Sequence, residues 1–354
     1  MGMRSLPSII CMVAALFTVD ALTATRGMDP FEFFQPSIHL TQEDRTQLDR
    51  DEPVARILPN AGGEIAVFAA VRVAVDGNRL VAWIRRIDDL KRSLYVPAIG
   101  RISEPPRIED LADLELDEDD LADVRACRSQ NCAIALSAAE MTQLQRAASG
   151  AGSKWRAAVQ REFRRIVFER INVYQRDGLS ALAPIESGDT PIHSMERFSD
   201  VLAHSVFLQD HLPRLAEHLD KYPHAPMENA ESFLYWSKER LAGRPIVSVT
   251  HVTIVRGQDD GVPDALVTGK QVFATHYLNA SLGTTAIVRG HSGTGNYLVY
   301  VNRSDVDVLD RWFGGVVRWF AERRVRNEAA DILRGLRNRL ESGEPPNSSA
   351  VHVE

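Results

Sequence analysis

The run Gly290-His291-Ser292-Gly293-Thr294-Gly295 is one place where this chain could carry chemistry. A histidine and a serine among three glycines invite comparison with the nucleophile elbow, G-x-S-x-G, which holds a serine on a tight strand-to-helix turn. Here Thr294 stands where the last glycine belongs, and a strand-like sequence follows instead of a helix. Spacing and context both fail, and the run reads as a glycine-rich hairpin loop. No phosphate-binding loop and no dinucleotide-binding glycine pattern occurs.

Two histidines on strand-like segments are better placed. His251 shares a face with Val247, Val249 and Val255, and His276 shares one with Leu266, Val272 and Ala274. An imidazole on an apolar strand face can serve as a pocket base or a ligand contact, and can equally be a core histidine with a satisfied partner. Tyr235, Trp236, Lys238 and Glu239 form a dense cluster suited to a pocket mouth.

Metal chemistry finds less support. His204, His211 and His218 recur every seven residues, which on one helix puts neighbours about 10.5 Å apart, too far to share an ion. They read as a surface stripe. Asp113, Glu115 and Asp117 begin like a calcium loop, but Glu118 stands where glycine is needed and Val124 where the bidentate glutamate belongs. These acids belong to a segment, 104–123, that carries ten of them and favours a helix N-terminus near Asp117. No cofactor or metal is expected.

Cys127 and Cys132 have Arg128-Ser129-Gln130-Asn131 between them, good turn sequence. A disulfide is expected if the chain is exported, the alternative being a zinc half-site, for which no second Cys or His pair stands at ligand spacing nearby. Export is itself expected from residues 1–24: Arg4, then an apolar run of eleven residues from Ile9 to Val19, then small residues with cleavage after Ala21 or Ala24. That run is too short to span a bilayer, and Asp20 ends it. The expected location is periplasmic or secreted.

The elements that must position these residues are legible in outline. Residues 25–60 are polar and proline-interrupted and read as an extended arm or linker. Glu64 to Val75 alternates as a strand, and 79–91 has helical spacing. Segments 137–147, 154–174 and Ser194 to Tyr222 read as helices, the last interrupted by Pro213. The 154–174 helix has a basic face (Lys154, Arg156, Arg161, Arg164, Arg165, Arg170) that could meet anionic headgroups or neutralise the acidic segment upstream. Phe233 to Lys238 reads as a short strand or helix end. Pro245 to Arg256, Ala265 to Leu278, Ser281 to Arg289 and Tyr297 to Arg303 are rich in Val, Ile, Thr and Tyr. Joined by short turns, they make antiparallel strands. Ser304 or Asp305 caps a long helix, 305–340, whose first apolar stripe holds Trp312, Phe313, Val316 and Phe320. Residues 342–354 form a disordered tail.

With 354 residues, 44% hydrophobic and 25% charged, the chain can bury a core. The net charge of −7, with no basic stripe on the scale of a nucleic-acid surface, argues against nucleic-acid binding.

The order of elements resembles the START-like, or helix-grip, superfamily of lipid-transfer and polyketide-cyclase-like proteins. In that family a first strand, one or two short helices and several antiparallel strands precede a long C-terminal helix held by the curved sheet. The matching pieces are 64–75, 79–91, the strands between 245 and 303, and 305–340, with an added helical insertion at about 104–230. The resemblance implies an α+β domain over 61–341 and a pocket between sheet and C-terminal helix for a lipid or other apolar small molecule. His251, His276, Tyr235, Trp236, Trp312 and Phe313 are the expected ligand contacts. The alternatives are a cyclase- or hydrolase-like enzyme using a pocket histidine, and a cell-envelope structural or interaction protein with peripheral membrane contact through the basic helix.

Overall fold

The computed structural model describes residues 29–59, 63–127, 132–186, 190–240, 244–257, 262–290, 295–306 and 330–343. Residues 1–24, Trp312, Phe313 and the 342–354 tail beyond Gly343 lie outside them.

The expectation of an α+β fold with an antiparallel sheet holds. The eight strands are β1 (Val54–Leu58), β2 (Glu64–Val73), β3 (Ala98–Arg101), β4 (Ala230–Glu239), β5 (Ile246–Arg256), β6 (Ala265–Ala274), β7 (Leu278–Arg289) and β8 (Asn296–Val306). They form one sheet in the order β1-β2-β8-β7-β6-β5-β4-β3, every pairing antiparallel. β7 and β8 therefore lie near the middle, with neighbours on both edges.

Helices divide between the two faces of the sheet. Before β1 comes α1 (Gln42–Asp49), and between β2 and β3 come α2 (Gly77–Ile84) and α3 (Ile87–Lys91). Between β3 and β4 run α4 (Glu118–Ala126), α5 (Ala138–Gly150), α6 (Trp155–Asp177), α7 (Ser194–Ala203), α8 (Val206–His211) and α9 (Pro213–Lys221). This last group packs on one face, here the covered face, in a cluster that includes Phe163, Tyr174, Phe198, Leu215, Trp236, Val249 and Val299. On the other face, the open face, Val71, Val252, Ile254, Val267 and Leu298 pack with Leu80, Ile84 and Leu90 of α2 and α3 and with Leu333 and Leu340. The last two belong to α10, residues 330–342. β2 shows the consequence: Ala66, Phe68 and Ala70 face one cluster and Ala69, Val71 and Val73 the other. A strand buried on both sides loses the clean apolar/polar alternation of a one-sided sheet.

Several expectations are corrected. Of the expected arm over 25–60, the described part, 29–59, is folded instead: Phe31, Phe33, Phe34, Ile38 and Leu48 are buried, and β1 extends the sheet. The prolines hid an aromatic anchor in which Phe31 lies 5.1 Å from Tyr297, and a Thr41 capping box that starts α1. The helix foreseen over 79–91 breaks at Arg85-Arg86 into α2 and α3. Ser304 and Asp305, expected where a helix begins, lie in β8, paired with Ser281 and Ala280, because the strand runs on to Val306. Of the long helix, 307–329 lie outside the described residues. The 194–222 stretch is three helices, with Pro213 opening the third. That removes the histidine stripe. His204 meets Glu64 at the end of α7, His211 lies against the Phe33 ring, and His218 is buried.

Cys127 and Cys132 form a disulfide at the end of α4, with Cα atoms 5.0 Å apart. So small a ring removes little unfolded-chain entropy, at most about 2 kcal/mol. The Cys127→Ser/Cys132→Ser double variant is expected to lose only a few degrees in thermal unfolding. Thiol titration of the denatured, unreduced parent checks the premise, and two reactive thiols would refute it.

Candidate functional site

The middle of the open face carries polar and small residues where a dry core is the rule. Along β7 the open-face positions are Ser281, Gly283 and Thr285, and along β8 they are Tyr300, Asn302 and Ser304. Gly269 pairs with Gly283, and Thr250 with Gln271. Thr250, Gly269, Ser281, Gly283, Thr285, Tyr300 and Asn302 are half-buried, whereas the intervening covered-face residues Leu282, Thr284, Ala286 and Val301 are buried. A patch of half-covered polar side chains in the centre of an eight-stranded sheet is a floor onto which something else can settle.

The floor is internally ordered. The Asn302 amide donates to Ser281 Oγ at 3.2 Å, Ser281 meets Ser304 Oγ at 2.8 Å, and Ser304 Oγ donates to Asn302 Oδ1 at 2.8 Å, closing a ring. The hydroxyls of Thr250 and Thr285 make no hydrogen bond among the described residues and remain available. A Cβ built on Gly283 would have its nearest neighbours, Asn302 and Tyr300, at 3.6 and 3.8 Å. Glycine there leaves space above the strand.

One rim of the floor is charged but balanced. Lys91 Nζ, from α3, donates to Glu239 Oε1 at 2.8 Å and to the Tyr235 hydroxyl at 3.0 Å, and Ser237 Oγ donates to the same Glu239 oxygen at 2.8 Å. Burial works against both charges, yet the Lys91–Glu239 attraction prevails, holding the lysine above and the carboxylate below their ordinary pKa values. Burial pushes the Tyr300 hydroxyl up to about 12, and Lys91, Glu239 and Tyr235 all act on it. Tyr300 therefore stays a neutral hydroxyl on the open face.

The expected site residues divide between the two faces. Tyr235 reaches the rim as described. Trp236 points the other way, donating from Nε1 to the Asp110 carbonyl at 2.8 Å over Gly100, where a Cβ would come within 2.6 Å of that nitrogen. His251 and His276 also face the helical layer. His276 bridges the Ala133 carbonyl through Nδ1 and the Asp120 carboxylate through Nε2, each at 2.8 Å. His251 Nδ1 lies 2.8 Å from the Tyr174 hydroxyl with the Tyr222 ring 4.3 Å away. Burial first, then Lys270 and His218, lower its pKa to about 3, so the ring is neutral and accepts from Tyr174.

Beside His251 lies Lys270, fully buried. Its Nζ donates to the Leu219 carbonyl in the last turn of α9 at 2.6 Å and sits 4.3 Å from the Phe198 ring centre. Burial lowers its pKa to about 7 against a weaker opposing pull from Asp220. The group joins α6, α7, α9, β5 and β6.

Two further surfaces are accounted for. A cleft of about 300 Å³ opens by β3 and β4, lined in part by Arg101, Glu104, Asp110 and Gln175. Asp110 is already bonded to Ser103 and the Arg107 backbone, and Arg101 to the Arg85 carbonyl. On α6, Arg156 pairs with Glu118 and Arg164 with Glu115, so the acidic segment neutralises part of the basic face, while Arg170, expected on that face, is buried and pairs with Glu140 of α5. Among the described residues no group of three or more His, Cys, Asp or Glu could hold a metal ion, and no helix is long and apolar enough to cross a membrane.

Sequence reading missed Tyr300, Asn302, Gly283 and Lys91. The signal was Ser281-x-Gly283-x-Thr285, three small polar positions on one strand face. It became meaningful only once β7 was known to be central.

No family model matches the chain, and no curated protein matches it. A solved structure, that of TTHA0849 from Thermus thermophilus, is similar over 38% of this chain and 84% of its own, at 15% identity and a TM-score of 0.23. Likeness at that level transfers neither fold nor function.

Proposed function

We propose that this is an exported protein of START-like architecture that binds a small amphiphilic molecule on the open face of its sheet. The observation that carries the reading is the half-buried row Ser281, Gly283, Thr285, Tyr300 and Asn302 in the middle of an otherwise buried sheet. The strand order supports the architecture. β2, then two short helices, then six antiparallel strands returning to pair beside β2 follow the helix-grip order, with α4–α9 inserted between β3 and β4. The apolar positions Val67, Val252 and Val267 beside the hydroxyls give the floor both characters. An amphiphile thus suits it better than a plain hydrocarbon: its polar end meets Tyr300, Asn302 and Thr285 as neutral hydrogen-bonding groups.

Gly283→Leu tests this directly. The added side chain projects into the space above β7, so folding survives and the floor is filled. Titration with an environment-sensitive fluorescent amphiphile is expected to show saturable binding by the parent and at least roughly tenfold weaker binding by the variant, as for loss of about 1.4 kcal/mol. Thermal unfolding is expected to change little. Equal affinity of the two proteins, or no saturable binding by either, rules the site out.

A further inference from the structure

Leu94 is 88% exposed and Tyr95, beside it, 41%, and they are two of only four large hydrophobic residues exposed among the described residues. They occupy the centre of a tight turn between α3 and β3. Ser93 N donates to the Val96 carbonyl at 3.2 Å, Val96 N to the Ser93 carbonyl at 3.1 Å, and Ser93 Oγ accepts from Val96 N at 3.2 Å. Turn centres favour glycine, asparagine, aspartate and proline, and nothing in the turn's geometry calls for leucine or tyrosine. An apolar pair held outward by a closed turn is a local conflict of the kind found at working surfaces.

The surroundings specify the partner. The chain carries a net charge of −7, but arginines gather at this tip. Arg92 is exposed and donates to the Ile99 carbonyl, and Arg339 of α10 donates to the carbonyls of Leu90 and Arg92. The Arg240 backbone N–H bonds the Tyr95 carbonyl at 2.8 Å. Among the described residues Arg92 and Arg339 form no ion pair, and their carbonyl partners are neutral. Of the neighbouring acids, Asp89 pairs with Arg86, Glu239 with Lys91 and Glu341 with Arg337, and Asp88 of α3 acts on Arg101. An apolar tip with a cationic collar is complementary to a bilayer bearing anionic headgroups, into which the leucine and tyrosine can insert while the arginines stay at the surface.

We propose that the Ser93–Val96 turn is a docking tip that inserts Leu94 and Tyr95 into an anionic lipid surface. Lys91, on the rim of the ligand floor, is two residues before the turn, so docking would bring that floor beside the membrane. The docking itself does not require the ligand reading to be correct.

Co-sedimentation with vesicles provides the test, using phosphatidylcholine alone and phosphatidylcholine mixed with an equal part of phosphatidylglycerol. The protein is expected to bind the mixed vesicles and to release them as salt is raised. Leu94→Asp is expected to weaken binding by about tenfold or more, the consequence of withholding one leucine from an apolar phase. Arg92→Glu is expected to remove the preference for the anionic vesicles. Leu94→Trp gives a second readout: retained binding, with its added fluorescence quenched by brominated lipid. Absence of vesicle binding by the parent overturns the proposal. So does unchanged binding by Leu94→Asp, an unquenched tryptophan, or a Leu94-dependent self-association without vesicle binding.

Discussion

Lys270→Met is expected to raise the stability of this protein at pH 6 by several kcal/mol and to have little effect near pH 11. The lysine is fully buried between Phe198 and Tyr174 with the Leu219 carbonyl as its hydrogen-bond acceptor, and burial lowers its pKa from 10.5 to about 7. A cation whose pKa falls on folding is worse off in the folded state. Below pH 7 it is protonated both folded and unfolded, and the whole penalty, on the order of 5 kcal/mol, opposes folding. Between about 7 and 10.5 the folded protein carries the neutral amine while the unfolded chain still binds a proton, so stability rises with pH. Above that the penalty is gone. Methionine matches the shape without the charge. The advantage of the variant should therefore be greatest at acidic and neutral pH and vanish as pH rises through this window. Denaturant unfolding of both proteins at pH 6 and pH 11 measures it. A constant difference across pH, or a less stable variant at pH 6, would show that Lys270 is not a costly cation in this position.

The second large effect has the opposite sign. Asp120 and His276 are 2% and 4% exposed, and their contact joins α4 to the turn between β6 and β7. Arg244 adds a longer contact to the same carboxylate at 3.8 Å. Asp120→Ala leaves a sealed imidazole nitrogen without its acceptor, and the expected loss is about 3–5 kcal/mol. His276→Ala strands the carboxylate and should cost a similar amount. Because both variants break one contact, the double variant should be much less destabilised than the sum of the two, with a coupling of about 1–3 kcal/mol. Urea unfolding of the four proteins closes the cycle. Additive losses would mean that the two side chains do not act as a pair.

These two clusters explain why the histidines were legible and their function was not. The alternation around His251 correctly placed that ring on a strand face packed with apolar neighbours, but the strand expected over 265–278 ends at Ala274, and His276 lies in the bend before β7. Periodicity states that a strand has two faces; it does not say which layer covers which face. Only the insertion of α4–α9 on one side determines that both rings meet Asp120, Tyr174 and Tyr222. Strands β5 and β8 were readable because their Val, Ile, Thr and Tyr runs are set off by glycine-bearing turns, whereas the β6–β7 turn, Thr275-His276-Tyr277, has no glycine and its break was expected a few residues later, before Ser281. β3 was not, since its four residues lie between Pro97 and Pro105 and carry no period. Phe31, Phe33 and Phe34 were hidden by the polar and proline-rich sequence around them.

The floor shows the limit most clearly. Serine, glycine and threonine alternating along β7 look like the solvent side of an edge strand. Their significance depends on β7 lying between β6 and β8, a long-range pairing that local sequence does not encode. The same residues on an edge would need no explanation.

Native mass spectrometry of the protein purified without detergent, beside Gly283→Leu, tests the ligand floor most directly. The parent is expected to carry one small-molecule adduct that survives gentle activation, and the variant to fly at its bare polypeptide mass. Bare masses for both proteins, or an adduct held equally by the variant, would contradict binding over Gly283 and Tyr300.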